Sequence, residues 1–279
     1  MYKTQNNDFW ILISRLCGWT YTILWSVSYY PQPFLNWQRK STNGFIFDFP
    51  LMNVIGSLCY TISTGLFLYS GTVREEYAAR HPESPEPTAR FNDFCYGFHS
   101  LVLCSVTFSQ FWPGLWGWKR AAKRNPNRLT ISILLANVIG TCSCIVLVIL
   151  GKLELLANGS WEWIDVAYAL TYVKLSITVF KYWPQVLSIY RRKSTAGLTM
   201  LGVSLDFIGG ILSLIQLIID CSLQADWSGL TGNLLKLGLA NISMLADTVF
   251  LTQRYVLYGA KEIAEPEHSP EETDALLPK

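Results

Sequence analysis

The reactive groups of this 279-residue chain are acidic and basic side chains inside apolar runs. Asp206 and Asp247 lie in two such runs, and Lys174 and Lys181 lie seven residues apart in a third. If the runs cross a lipid bilayer, a carboxylate near the centre costs about 2.5 to 3.5 kcal/mol. The group must then be protonated, paired with a lysine or open to water. The pattern predicts protonation coupled to binding of a charged solute, and the alternative is a static Asp–Lys pair.

The sequence around Asp206 is the second copy of an internal repeat. The segments YPQPFLNWQRKST from Tyr30 and WPQVLSIYRRKST from Trp183 align without a gap, and such self-similarity indicates repeated structural units. In this register Asp206 falls on the neutral Asn53, so the position suits binding of a substrate amine. Asp247 lies one run further on, eleven residues after Lys236, and is the better candidate for the transported proton.

Each copy carries a Pro-Gln pair, Pro31–Gln32 and Pro184–Gln185. Proline inside a helix frees a carbonyl group and bends the helix, and the glutamine amide can hydrogen-bond the freed backbone. The alternative is that each proline only marks a helix end. Two prolines at matched positions favour a pair of hinges, which a rocking carrier needs.

The composition predicts an all-α membrane protein. Hydrophobic residues make up 51% and charged residues 15% of the chain, whereas a soluble domain has about 25% charged residues. The chain holds about seven apolar runs of roughly 20 residues, long enough to span a bilayer. We predict seven transmembrane helices, arranged as two parallel three-helix repeats joined by a linker helix, with a solvent loop at 70–90.

The predicted segments follow from these runs: 1–10 is a lumenal N-terminus, 11–112 the first repeat, 113–160 a basic cytosolic loop, the linker helix and a lumenal loop, 161–258 the second repeat, and 259–279 a cytosolic tail. The loops after the first, third and fifth runs carry two, five and three Lys or Arg residues, which predicts that they are cytosolic. The glycosylation sequon at Asn158 then faces the lumen. In the tail, Glu272, Leu276 and Leu277 form an acidic dileucine signal for clathrin-adaptor-type sorting machinery.

Several function classes are not supported by the sequence. The cysteines and histidines have no metal-ligand spacing, and no nucleophile–base arrangement appears, so we predict no metal, no cofactor and no enzymatic activity. The basic residues lie between apolar runs, which indicates membrane topology and lipid contact rather than nucleic-acid binding.

The runs SYYPQPFLNWQRKST, YVKLSITVFKYWPQ, RRKSTAGLTMLGVSLDFIGG and KLGLANISMLADTVFLTQRYVLY resemble the PQ-loop transporter family, in particular its lysosomal cystine exporters. The long lumenal extension of animal members is missing, which is typical of fungal members. The resemblance implies a SWEET-like fold and proton-coupled export of L-cystine from a lysosome, vacuole or endosome to the cytosol.

The resemblance also implies roles for individual residues. It implicates Asp206 and Asp247 in proton coupling, and we add Asn53 to the substrate site from the repeat register. The family positions in or near the substrate path correspond to Asp93, Lys174, Lys181 and Lys236. The chain departs from the family at Ile189 and Gly202, where members carry asparagine in the substrate cavity.

Two other functions remain open at this stage. One is a PQ-loop exporter of basic amino acids, for which lysines within the membrane would be unfavourable. The other is a seven-helix receptor that binds peptide cargo in a pH-dependent way. Sugar carriers share the architecture but do not need Asp and Lys at depth.

Overall fold

The computed structural model describes residues 2–82, 85–87, 89, 91–118, 124–155, 161–224 and 234–258, and the regular structure in these ranges is helical. The helices are α1 (Tyr2–Ser28), α2 (Pro31–Arg39), α3 (Asp48–Tyr69), α4 (Gly71–Arg80), α5 (Phe91–Ser109), α6 (Pro113–Trp116), α7 (Arg128–Lys152), α8 (Trp163–Phe180), α9 (Tyr182–Arg192), α10 (Met200–Gln224) and α11 (Leu234–Thr252). Helix α11 continues into a π-helical turn, Gln253–Tyr258.

Four stretches of the described helices are long and apolar enough to cross a membrane: Asp48–Tyr69, Arg128–Lys152, Trp163–Arg192 and Met200–Ile219. They correspond to α3, α7, α8 with α9, and most of α10. The other three predicted spans coincide with α1, α5 and α11, so the count of seven stays a prediction. Only 11% of the α7 window is buried inside the protein, which suits a linker that faces lipid.

The two copies of the repeated sequence pack against each other reciprocally. Helix α1 of the first copy makes its most extensive contact with α10 of the second, and α8 of the second packs on α3 of the first. Within the copies, α3 packs on α5 and α10 packs on α11. The first long helix of each copy therefore lies against the second long helix of the other.

The prediction of a solvent loop at 70–90 is wrong for residues 71–80, which form α4. The buried side chain of Val73 packs with Ile164 of α8, and Glu76 accepts a hydrogen bond from the Ile164 backbone N–H at 2.8 Å. Arg80 donates to both carboxylate oxygens of Asp165, at 2.6 and 2.7 Å. The prolines that suggested a loop follow this helix. Helix α1 also begins at Tyr2, inside the predicted N-terminal segment.

Each Pro-Gln pair lies near the beginning of a short helix that follows a break. Helix α1 ends at Ser28 and α2 begins at Pro31, whereas α8 ends at Phe180 and Pro184 lies in the first turn of α9. Proline is tolerated in the first turn because the N–H that it lacks has no partner there. The structure interrupts the helix near each pair, and a hinge function at these breaks remains a prediction.

Candidate substrate and proton site

Gln32 joins the two copies through its buried amide group. Its Nε2 atom donates to the carbonyl oxygen of Gly197 at 2.9 Å and to Oδ1 of Asn36 at 2.9 Å. Its Oε1 atom accepts from the backbone N–H of Thr199 at 3.0 Å. The amide of the first Pro-Gln pair therefore holds the loop that precedes α10.

Gln185 makes the corresponding contacts in the opposite direction. Its Nε2 atom donates to the carbonyl oxygen of Gly44 at 3.3 Å, and its Oε1 atom accepts from the N–H of Ile46 at 3.1 Å. In the repeat register Gly44 matches Gly197 and Ile46 matches Thr199. Each glutamine thus bonds the same two backbone positions in the loop of the other copy.

The two loops cross at Gly44 and Gly197. Both glycines have positive φ angles, 91° and 94°, a conformation that residues with a Cβ atom rarely adopt. A Cβ atom on Gly197 would lie 2.6 Å from the Cα atom of Gly44, so the crossing leaves no room for a side chain. Gly44 and Gly197 lie in the loops that precede α3 and α10.

A cavity of about 110 Å³ lies between the two copies. It is lined by both predicted aspartates, Asp206 and Asp247, together with Lys181, Asn53 and Gln32. Helices α3, α10 and α11 supply Asn53, Asp206 and Asp247. Lys181 lies between α8 and α9, and Gln32 comes from α2. The structure therefore brings together most of the polar residues that the sequence assigned to the site.

Lys181 is buried and oriented by neutral groups. Its Nζ atom donates to Oδ1 of Asn53 at 3.1 Å and lies 4.6 Å from the ring centroid of Tyr182. A cation over an aromatic face is stabilised by the electron density of the ring. Among the described residues, neither Asp206 nor Asp247 approaches Lys181 within the 4 Å of an ion pair. A static pair of either aspartate with Lys174 or Lys181 is therefore not observed among the described residues, whereas pairing with Lys236 falls outside them.

Asp206 and Asp247 both line the cavity. Asp247 is only 2% exposed, and its Oδ2 atom has no hydrogen-bond partner in the described part of the chain. Two carboxylates in one cavity repel each other, which favours a proton on one of them.

Other predicted site residues lie outside the cavity lining. The side chain of Lys174 packs over Gly56, with its Cδ atom 3.4 Å from an ideal Cβ position there. Asp93 lies in the first turn of α5, and Gln185 lies behind the lining. Lys236 belongs to α11, but its side chain is outside the described residues, as are Asn158, Glu272, Leu276 and Leu277.

The two departures from the family pattern occupy different places. Gly202 lines the cavity, and a Cβ atom there would meet the Ser28 carbonyl oxygen at 3.0 Å. Ile189 is fully buried and packs with Tyr182 and Phe250, which are themselves lining residues. Ile189 therefore supports the wall of the cavity and does not line it, contrary to the expectation from the sequence.

The sequence analysis missed a polar network beside the first Pro-Gln pair. Asn36 Nδ2 donates to Gln110 Oε1 at 2.8 Å, and Gln110 Nε2 donates to the Pro33 carbonyl at 2.8 Å. In the second copy Gln253 Nε2 donates to the Val186 carbonyl at 3.1 Å. The ungapped repeat register does not reveal this equivalence, because in it Gln110 falls on Ile263 and not on Gln253.

Asp48 is a second residue whose role the sequence did not predict. It is buried, and its Oδ1 atom accepts a hydrogen bond from the backbone N–H of Asn127 at 2.6 Å. Asn127 is the N-cap of α7. Asp48 therefore fixes the beginning of the linker helix to the first copy.

Comparison with known proteins identifies the class of this fold and site. The model of the PQ loop repeat matches residues 13–72 and 166–226, which confirms the doubled Pro-Gln sequence and defines a PQ-loop membrane protein. Matches that extend over most of the chain are to a cystinosin homolog of Dictyostelium discoideum, 36% identical over 88% of this chain and 82% of that protein, and to the cystinosin of Drosophila melanogaster, 35% identical over 89% of this chain. The chain belongs to the cystinosin family.

The extent of these matches differs among the relatives. The chain spans about three fifths of the cystinosins of Drosophila melanogaster (59%) and Caenorhabditis elegans (61%). It spans 94% of a protein of Saccharomyces cerevisiae named cystine transporter, at 29% identity. These names describe a transporter and not an enzyme, in agreement with the sequence interpretation.

Proposed function

We propose that this protein exports L-cystine from the lumen of an acidic organelle to the cytosol, together with protons. The observation that carries the proposal is the cavity between the two copies, which combines Lys181, Asp206 and Asp247. L-Cystine has an ammonium and a carboxylate group at each end, so its recognition needs both signs of charge. The name of the yeast relative, cystine transporter, supports this choice of substrate.

Lys181 and Asp206 are the groups that bind one amino-acid end of the substrate. The Nζ atom of Lys181 donates to the substrate carboxylate, and the Asp206 carboxylate accepts from the substrate ammonium group. Asn53 keeps Lys181 in position through the 3.1 Å hydrogen bond. Charge-assisted hydrogen bonds of this kind are about twice as strong as neutral ones.

Asp247 is the group that carries the proton. Its proximity to Asp206 links substrate binding to protonation. A substrate ammonium group bound to Asp206 changes the charge near Asp247 and therefore its tendency to hold a proton. Protonation from the acidic lumen neutralises Asp247 and permits the inward movement of the helices. Release of the proton to the neutral cytosol resets the carrier.

Alternating access requires the two copies to move relative to each other. The helix breaks before Pro31 and at Lys181 are the points where such bending costs least. The glutamine contacts between the loops stay intact and act as the pivot. Replacement of Pro31 or Pro184 by alanine is therefore expected to reduce the transport rate more than substrate binding.

The acidic organelle is a lysosome, vacuole or endosome. The basic loops favour a lumenal N-terminus and a cytosolic tail, and the acidic dileucine sequence in that tail suits recognition by sorting adaptors. Glycosylation at Asn158 fits the same topology. Labelling of single cysteines introduced at residues 119 to 124 checks this arrangement, because these positions are expected to react only from the cytosolic side.

The test is uptake of radiolabelled L-cystine into proteoliposomes with an imposed pH gradient. Asp247→Asn is expected to abolish acceleration by the gradient and to retain substrate binding, whereas Asp206→Asn is expected to weaken binding itself. Asp8→Asn, at an exposed position of α1, is the matched control and should behave like the parent protein. Full acceleration in Asp247→Asn would contradict the assignment of the proton.

The same assay separates the alternatives. Uptake of arginine or lysine in place of cystine would indicate an exporter of basic amino acids. Saturable binding of peptides without flux of any amino acid would indicate a receptor. Cystine flux that does not respond to the pH gradient would contradict proton coupling, whereas L-cystine would still be the substrate.

A further inference from the structure

The cavity lining is built from pairs of residues at equivalent positions in the two copies. In the register set by Pro31 and Pro184, Ser28 matches Lys181 and Asn53 matches Asp206, and all four line the cavity. Tyr29 and Tyr182 are a further matched pair in the lining. The cavity therefore lies where the two copies face each other, and each copy contributes one half of its wall.

The same correspondence holds for α5 and α11. Gln110 and Gln253 donate to Pro33 and Val186, which are equivalent residues of the two copies. These two equivalent contacts define how the residues of α5 correspond to those of α11. This correspondence pairs Cys104 with Asp247, and both side chains line the cavity.

The two halves differ in charge. Each charged residue of the described lining, namely Lys181, Asp206 and Asp247, belongs to the second copy. Their equivalents in the first copy are the uncharged Ser28, Asn53 and Cys104. A nearly symmetric wall thus has a charged half and a neutral half.

The polar groups of the neutral half already have partners within the protein. Ser28 Oγ donates to the Trp25 carbonyl at 2.8 Å, and Thr107 Oγ1 donates to the Leu103 carbonyl at 2.9 Å. Asn53 Oδ1 accepts from Lys181. These groups can make an additional hydrogen bond to a solute. They do not depend on the solute, because each already has a hydrogen-bond partner within the protein.

The charged half contains an unpartnered oxygen atom. Among the described residues, Asp247 Oδ2 is the one buried side-chain atom without a hydrogen-bond partner that belongs to a lining residue. A buried polar atom without a partner costs free energy. Within the described lining, the second copy therefore carries both the charged groups and the orphaned atom.

We infer that the cavity recognises one zwitterionic end of a disulfide through the second copy and accepts an uncharged polar group at the other end. Mixed disulfides of L-cysteine with a neutral thiol are then substrates as well as L-cystine. This inference rests on the proposed function, since it concerns the same cavity and the same direction of transport. It extends the substrate class to disulfides that have a single amino-acid end.

The expected loss of affinity distinguishes this arrangement from one in which charged protein groups bind both ends of the disulfide. A hydrogen bond to a charged group contributes about 1.5 to 3 kcal/mol, so loss of the two such bonds at one end lowers the affinity by more than about 100-fold. If the neutral half of the cavity holds the second end of the substrate, an uncharged polar group in place of the ammonium and carboxylate of that end changes the affinity by less than about tenfold.

The experiment compares competitors of radiolabelled L-cystine uptake by the full chain in proteoliposomes with an imposed pH gradient. The competitors are unlabelled L-cystine, the mixed disulfide of L-cysteine with 2-mercaptoethanol, and bis(2-hydroxyethyl) disulfide. Free thiols are excluded so that the mixed disulfide does not exchange into cystine, and mass spectrometry verifies its composition after the assay. Its accumulation inside the vesicles is measured in parallel.

We expect the mixed disulfide to compete within about tenfold of L-cystine and to accumulate, whereas bis(2-hydroxyethyl) disulfide should not compete. A mixed disulfide more than about 100-fold weaker than L-cystine would overturn the inference and leave cystine transport in place. Equal competition by bis(2-hydroxyethyl) disulfide would also overturn it, because neither end would then need its charges. Absence of L-cystine uptake would refute the proposed function itself, which is a separate outcome.

Discussion

Substitution of the two Pro-Gln glutamines by alanine should destabilise the protein unequally. Gln32→Ala leaves three groups without their partner: the Gly197 carbonyl, the Thr199 N–H and Asn36 Oδ1. Gln185→Ala removes the partner of the Ile46 N–H. The Gly44 carbonyl keeps a hydrogen bond at 2.7 Å from Arg192 Nη2.

The expected magnitudes follow from the number of orphaned groups. Each buried group that loses its partner costs about 1 to 3 kcal/mol. The cost is therefore about 3 to 9 kcal/mol for Gln32→Ala and about 1 to 3 kcal/mol for Gln185→Ala. The two additional orphaned groups in Gln32→Ala cost at least about 2 kcal/mol, which corresponds to roughly 4 to 8 °C in Tm for a chain of this size.

Thermal unfolding of the purified variants in one detergent, followed by size-exclusion chromatography, measures this difference. Gln38→Ala is the matched control, because Gln38 lies in α2 and its side chain is exposed. It should unfold within about 1 °C of the parent, since surface substitutions change stability by about 0.5 kcal/mol or less. A Gln185→Ala protein that is as unstable as Gln32→Ala would refute the argument from orphaned groups.

Three further outcomes are expected. Ile189→Ala should unfold at a lower temperature than Ile189→Val, because Ile189 is fully buried against Tyr182 and Phe250 and alanine leaves a cavity that costs about 2 to 5 kcal/mol; an equal Tm for the two variants would contradict this reasoning. Gly197→Ala should fail to give a monodisperse protein, since its Cβ atom would overlap the crossing loop, and normal size-exclusion behaviour would show that the loops can separate. The double variant Leu276→Ala, Leu277→Ala should move from the acidic organelle to the cell surface in fluorescence microscopy, and an unchanged location would mean that another determinant directs sorting.

Sequence reasoning reached the class of the protein through features that are encoded locally. The doubled Pro-Gln segment needs no structure to be recognised, and the family match at 13–72 and 166–226 confirms it. Asp206 and Asp247 were selected because a charge within an apolar run is costly. Both aspartates line the same cavity. The two residues can be singled out from the sequence because the argument depends only on the cost of one side chain in its own helix.

The partners of these side chains could not be predicted in the same way. Helical periodicity assigned Lys174 and Lys181 to one face of a helix, but only Lys181 lines the cavity, because the crossing of α3 and α8 covers Lys174 at Gly56. The helix α4 was missed for a similar reason. Its polar sequence is stabilised by Glu76 and Arg80 bonding to α8, and neither contact is visible in the sequence of α4 alone.

The sequence by itself determined the repeat, the apolar spans and the charged residues, since each follows from composition or spacing along the chain. Only the tertiary structure decided that each glutamine bonds the loop of the other copy, as Gln32 does with Gly197 at a separation of 165 residues. It also decided that the charges of the second copy face the neutral groups of the first. The physical reason is that hydrogen bonds and cavities depend on distances of a few ångströms between helices, which are set by how the two copies pack.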